Sequence, residues 1–122
     1  MDALRLPFSD AGEGAKIRRS AAELLTGQSP DLVEDVLLVI TELVDNVVQH
    51  TEDGGELRLS RDNGTVLVEV HDRSRSFPRL QRQDLRRPGG RGLLLVAALT
   101  ETWGSRPTET GKLVWARLGD TG

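Results

Sequence analysis

The chain has 122 residues, no cysteine, two histidines, and 16 basic against 19 acidic side chains, which gives a formal net charge of −3. This length allows one domain, and the lack of cysteine excludes disulfides, thiolate zinc sites and cysteine nucleophiles. No apolar run approaches a membrane span, and the N-terminus lacks the basic stretch and apolar block of a secretory signal, so we expect a cytoplasmic protein without membrane contact.

The N-terminal segment predicts one strand and one helix. Residues 4–8 alternate apolar and polar side chains, as an edge strand does, and an edge strand tolerates the proline in this segment. A helix should follow, with Asp10 and Glu13 as a candidate N-terminal cap pair and Gly27 at its end.

A second and stronger helix is predicted from Ser29 to about His50. Ser29 is a suitable N-cap, and Pro30 fits the first turn of a helix. Apolar residues recur at the spacing of one buried face. These residues are Leu32, Val33, Val36, Leu37, Ile40, Leu43, Val44 and Val47.

The C-terminal half predicts two hairpins separated by a long loop and a short helix. Strands are expected at 56–61 and 65–72, a helix at 93–99, and further strands at 103–107 and 112–118. Hairpins segregated from helices in this way favour an α+β domain. We therefore expect one domain over residues 1–122, a two-layer sandwich whose mixed, mostly antiparallel sheet carries helices on one face.

Asp72 is the first candidate site residue, because it ends a strand on the same face as three valines. Alternation in the strand puts Val66, Val68, Val70 and Asp72 on one side. A carboxylate that points toward the helix layer needs a partner, since burial without one is expensive. A ligand donor such as an exocyclic amine would satisfy it, and so would a hydrogen bond within its own turn.

Glu42 and Asn46 form the second candidate pair, because residues four apart on a helix are neighbours. Asparagine is a poor residue for a helix interior. Magnesium coordination through the Asn46 amide oxygen would explain it, and Glu42 would then be free to act as a base. The alternative is an ordinary solvated helix face.

The third candidate region is the basic and glycine-rich stretch before the last helix. Residues 73–91 contain seven arginines and one acid, a net +6, while the rest of the chain carries −9. Such a stretch suits a polyanionic ligand or an acidic partner, or it is a solvated loop. The sequence Gly89-Gly90-Arg91-Gly92 stands at the start of a helix, where backbone N–H groups attract phosphate, although glycine clusters are also common in flexible turns.

These motifs together resemble the ATP-binding domains of the GHKL superfamily. Residues 42–50 resemble its N box, Val70-His71-Asp72 lies where the first glycine box begins, and Gly90-Arg91-Gly92-Leu93 matches the second. The resemblance covers nearly the whole chain. It is strongest to the anti-sigma-factor branch of small serine/threonine kinases similar to RsbW and SpoIIAB.

The resemblance implies a role for each matched residue. Asn46 would bind the magnesium ion that bridges the ATP phosphates, and Glu42 would be the general base. Asp72 would accept a hydrogen bond from the adenine amino group. The second glycine box, from Gly90 through Arg91 and Gly92 to Leu93, would hold phosphate, and residues 73–91 would form the ATP lid.

One departure from the family pattern concerns the first glycine box. It reads Asp72-Arg73-Ser74-Arg75-Ser76, with serines where the family has glycines, so Ser74 would line a narrower adenine pocket. The sequence therefore predicts an ATP- and magnesium-binding anti-sigma-type kinase. The alternatives are a non-catalytic interaction module with weakened nucleotide binding, or an ATPase domain from a larger sensor protein.

The expected partners are proteins. A kinase of this branch would bind a sigma factor, or phosphorylate a serine or threonine of an antagonist protein, without contacting nucleic acid directly. Only the resemblance implies a homodimer.

Overall fold

The computed structural model describes residues 2–9, 11–50, 54–72 and 92–119, and it contains every helix and strand that the sequence predicts. Each predicted boundary agrees with the structure to within a few residues. None of the helices in these ranges combines the length and apolar character needed to cross a bilayer. The elements are β1 (Asp2–Phe8), a 3-10 turn (Ala11–Glu13), α1 (Gly14–Leu24), α2 (Pro30–His50), β2 (Gly55–Asp62), β3 (Thr65–Asp72), α3 (Gly92–Leu99), β4 (Thr102–Pro107) and β5 (Lys112–Gly119).

The five strands form one sheet in the order β1-β2-β3-β5-β4. Every pairing between them is antiparallel, so the described sheet contains no parallel pair. The helices lie on one face: α2 contacts β2, β3 and β5, α1 contacts β1, and α3 contacts β4. The predicted two-layer α+β sandwich is confirmed, but the described sheet is wholly antiparallel and not mixed as predicted.

The two long helices begin differently. The Ser29 hydroxyl accepts a hydrogen bond from the Leu32 amide at 3.2 Å, so the predicted cap of α2 is confirmed. Glu13 precedes α1 but caps none of its amides. Its Oε1 instead accepts hydrogen bonds from the Ser9 amide at 3.2 Å and the Ser9 hydroxyl at 2.9 Å. The partner of Glu13 is therefore Ser9, and Asp10 lies outside the described residues.

The C-terminal end of α1 is attached to the sheet by Arg61 of β2. Its Nη1 donates to the carbonyl oxygens of Leu24 at 2.8 Å and Thr26 at 2.7 Å. These carbonyls lack helical partners and carry the negative end of the helix dipole, so a guanidinium stabilises them well. Gly27 follows with φ +97°, a conformation that glycine adopts without steric cost.

The middle of the inner face of the sheet is apolar, and charged residues lie at its ends. Residues that pair across neighbouring strands form rows on this face. One buried row contains Leu57, Val70 and Val114, and the next contains Leu59, Val68 and Ala116. Two charged residues, Asp72 and Lys112, are buried in the terminal row of this face. The complete row is Phe8, Gly55, Asp72, Lys112 and Pro107.

The outer face of the sheet carries ion pairs. Glu56 Oε1 accepts from Arg5 Nε at 3.2 Å and from Arg58 Nε at 2.7 Å. His71 is half-buried on this face, opposite Glu56 in the register. Burial lowers the pKa of His71 below its ordinary value, and the positive charge of Arg58 lowers it further.

Gly55 cannot hold a larger side chain without movement of the sheet. A Cβ atom there would collide with the carbonyl oxygen of His71 and lie 3.1 Å from Phe8 Cζ. We expect Gly55→Ala to lower the free energy of unfolding by about 1–3 kcal/mol. The matched control is Gly14→Ala, whose Cβ would meet only the flexible end of Arg18 and should cost nothing. Urea denaturation measures both, and equal losses would contradict the steric explanation.

The lowered pKa of His71 predicts a pH dependence of stability. In the unfolded chain His71 binds a proton near pH 6.5, its ordinary pKa, whereas in the folded chain His71 binds the proton only at a lower pH. The stabilising contribution is therefore complete above pH 6.5 and is lost as the pH falls from there through the folded pKa. His71→Gln removes this component, so the wild-type-minus-variant difference in unfolding free energy should decrease on acidification. A difference that stays constant or increases would be contrary to this assignment.

Candidate functional site

The first candidate pair lies on one flank of α2. Glu42 and Asn46 are both half-buried and one helical turn apart. They border the buried stripe of the helix, which includes Leu43 and Val47. This stripe packs against the sheet, so the two polar side chains lie at the edge of the helix–sheet interface. The predicted placement of Glu42 and Asn46 side by side on one helix is confirmed.

Asp45 belongs to a different side of α2. Successive helical residues are separated by about 100° around the axis, so Asp45 and Asn46 point in clearly different directions. Burial raises the pKa of the Asp45 carboxyl, and the Arg18 guanidinium on α1 acts against this shift. The influence of Arg18 places Asp45 toward α1. Asp45 is still a neighbour of Glu42 on the helix surface, three residues away, but it points away from Asn46.

Asp72 occupies the last position of β3 and points inward, as the alternation predicts. It is buried, with 3% of its surface exposed, and it continues the face formed by Val66, Val68 and Val70. A buried carboxylate requires compensation by donors or cations.

Lys112 supplies an opposite charge to Asp72. It is the first residue of β5, lies directly opposite Asp72 in the register, and is 1% exposed. Its Nζ lies 3.2 Å from Asp72 Oδ2. The sequence analysis missed Lys112, although its alternation with Val114, Ala116 and Leu118 already assigns it to the apolar face.

The third element of the candidate site is α3. It begins at Gly92, one residue before the predicted start, and packs against α2 while burying Val96. The predicted site positions Gly92 and Leu93 are therefore the first two residues of this helix. Ser74, Gly90 and Arg91, together with the rest of the predicted lid at 73–91, lie outside the described residues and remain predictions.

The donor chemistry of these residues fits a magnesium nucleotide. Glu42 and Asn46 offer the hard oxygen ligands that magnesium prefers, and Asp72 offers an acceptor to an amine. In the part of the chain that the structure describes, no three acidic or histidine side chains cluster around a common point. A magnesium ion bound through Asn46 would therefore take its other ligands from phosphate oxygens and water, as this ion commonly does.

Comparison with known proteins gives one result that covers the chain. A family model described as a histidine kinase-like ATPase domain matches residues 9–118. No curated protein matches the chain. The matched range includes α2, β3, α3 and β5, and so contains every described residue of the candidate site.

The buried ion pair predicts an asymmetric response to mutation. Lys112→Met leaves the Asp72 charge without its cation, and we expect a loss of about 3–5 kcal/mol in unfolding free energy. The double variant Asp72→Asn/Lys112→Met should lose much less, because no uncompensated charge remains. Arg117 is the control cation on the same strand: it is half-exposed and 3.8 Å from Glu101, so Arg117→Met should cost less than about 1 kcal/mol. Chemical denaturation of the wild type, Lys112→Met, Asp72→Asn, the double variant and Arg117→Met measures these differences. Additive effects of the two buried substitutions would contradict the coupling.

Proposed function

The chain belongs to the histidine kinase-like ATPase family, and we propose that it is an ATP- and magnesium-dependent regulatory protein kinase of the anti-sigma-factor type. ATP binding follows from the family. Kinase activity, the magnesium requirement, the protein partners and a cytoplasmic location are our proposals.

One observation carries the proposal: oxygen ligands and a buried carboxylate lie in facing layers of the fold. Glu42 and Asn46 border the sheet-facing stripe of α2, and Asp72 points from β3 toward the helices. Because α2 contacts β3 directly, this arrangement supports the binding of a ligand between the two elements. Asp72 would bind one end of the ligand, and the oxygen atoms of Glu42 and Asn46 would bind the other. A magnesium nucleotide has this chemistry, with an amine on its base and an ion on its phosphates.

Each residue has a role in this proposal. Asp72 accepts a hydrogen bond from the exocyclic amine of the base, and Asn46 holds its amide oxygen toward the magnesium position. When bound, magnesium neutralises charge on the phosphates. Glu42 accepts the proton of a serine or threonine hydroxyl as the hydroxyl oxygen bonds to the γ-phosphorus and ADP leaves.

The predicted second glycine box and lid complete the proposal. Backbone N–H groups around Gly90 and Gly92 would bind phosphate oxygens, as helix starts commonly do. The arginines of residues 73–91 would balance phosphate charge, because phosphoryl transfer depends mainly on positioning and electrostatic stabilisation. Ser74 and Arg91 would contact the nucleotide, and Leu93 would support the loop from α3.

The proposed partner is a sigma factor, or an antagonist protein that carries the acceptor serine or threonine. The net +6 of residues 73–91 favours an acidic partner surface beside the nucleotide. We also propose a homodimer, which would present two copies of the basic residues 73–91 to the partner protein. The proposal requires no direct contact with nucleic acid.

A second candidate function is a non-catalytic interaction module of the same fold. Two observations favour it: serines replace both glycines after Asp72, and the Lys112 ammonium already lies on the Asp72 carboxylate. Such a module would bind the same protein partners without phosphoryl transfer.

The proposal predicts different effects for the two residues of α2. Glu42→Gln should retain ATP binding but reduce phosphoryl transfer by roughly 10²–10⁴-fold, the usual contribution of a general base. Asn46→Ala should lose the magnesium-dependent part of ATP binding. Glu34→Gln is the control, because Glu34 is an exposed acid on the same helix and should affect neither.

Calorimetric titration with ATP, with and without magnesium, measures binding, and transfer of a γ-phosphate label to an antagonist protein measures catalysis. The absence of any heat for the wild type at millimolar ATP would refute the ATP-dependent proposal. ATP binding without label transfer, unchanged in Glu42→Gln, would favour the non-catalytic module.

A further inference from the structure

In the terminal row of the sheet, Lys112 contacts Asp72, the carboxylate that binds the base in the proposed function. Lys112 Nζ lies 3.2 Å from Asp72 Oδ2, and both side chains are almost completely withdrawn from solvent. This contact is an ion pair without hydrogen-bond geometry at Oδ2. An exocyclic amine that donates to the Asp72 carboxylate would approach the same oxygen atom that the ammonium group now contacts.

The surroundings within the sheet make this contact strong. The other members of the row are Phe8, Gly55 and Pro107, none of which has an ionisable side chain. The next inward row contributes Leu57, Val70 and Val114 beside them. In such apolar surroundings a charge pair interacts more strongly than in water.

We propose that Lys112 is a specificity-determining residue of the nucleotide site, which makes a base compete with its ammonium group for the Asp72 carboxylate. This inference rests on the proposed function, because it assigns Asp72 to the base. The competition lowers the affinity for bases whose recognition depends on an exocyclic amine. It does not act on the phosphate end of the nucleotide, where the α2 residues lie.

The test compares two nucleotides that differ only in the amine. ATP carries the exocyclic amine, whereas purine riboside triphosphate lacks it but has the same ribose and phosphates. Dissociation constants are measured by calorimetry for the wild type, Lys112→Met, Asp72→Asn/Lys112→Met and Arg117→Met. Arg117→Met removes an exposed cation from the outer face of the same strand and serves as the charge control.

Lys112→Met should bind ATP about tenfold more tightly than the wild type, because the amine then bonds to a carboxylate that lacks its internal cation. Its affinity for purine riboside triphosphate should be unchanged, and so should both affinities of Arg117→Met. The double variant should lose the preference for ATP over purine riboside triphosphate.

The outcomes separate this inference from the proposed function. If the wild type binds ATP and Lys112→Met binds it equally or more weakly, Lys112 does not compete with the base and the inference fails while ATP binding stands. If no variant binds either nucleotide, the proposed function fails. Lys112→Gln covers the case in which Lys112→Met does not fold: its neutral amide should give an ATP affinity above that of the wild type, and unchanged or weaker binding would overturn the inference.

Discussion

The burial of opposite charges at one end of an apolar sheet face is the constraint on which the rest of the site depends. Asp72 and Lys112 lie in the same row, on neighbouring strands, and are withdrawn from water together. An isolated carboxylate at this depth would be too costly to keep ionised. The register of β3 against β5 therefore places a cation beside the carboxylate that faces the helix layer.

The helix layer supplies the complementary half of the site for an equally simple reason. The apolar stripe of α2 is wide enough to fix the helix on the sheet, and Glu42 and Asn46 sit at its border. Residues at such a border are held by the packing of their neighbours while their polar ends stay accessible. A site shared between two rigid layers is more precisely positioned than one built on loops alone.

Local patterns in the sequence were sufficient to predict the architecture and the direction of Asp72. Alternation in β3 and helical periodicity in α2 each depend on residues close together in the chain, as does the Ser29 cap. The exception among the local features is Glu13, which bonds to Ser9 because that serine offers both an amide and a hydroxyl. The contact of Asp72 with Lys112 could not be predicted, because it depends on β3 pairing with β5 rather than β4. Such a pairing is decided by the packing of the whole domain, since residues 73–91, α3 and β4 separate the two strands along the chain.

Stability alone does not explain why the terminal row contains an ion pair. Replacement of a buried salt bridge by apolar residues of similar volume is often neutral or stabilising, and every neighbouring row of this sheet shows that the fold accommodates valine and leucine at inward positions. An apolar pair could not provide the buried carboxylate that the proposed function needs to accept a hydrogen bond from the base. In that proposal, recognition of a donor accounts for Asp72, and the presence of Asp72 in turn accounts for a lysine at position 112. The lysine that compensates the buried carboxylate also contacts the oxygen that the base would approach, so the requirements of stability and of the proposed ligand binding meet at one pair of atoms.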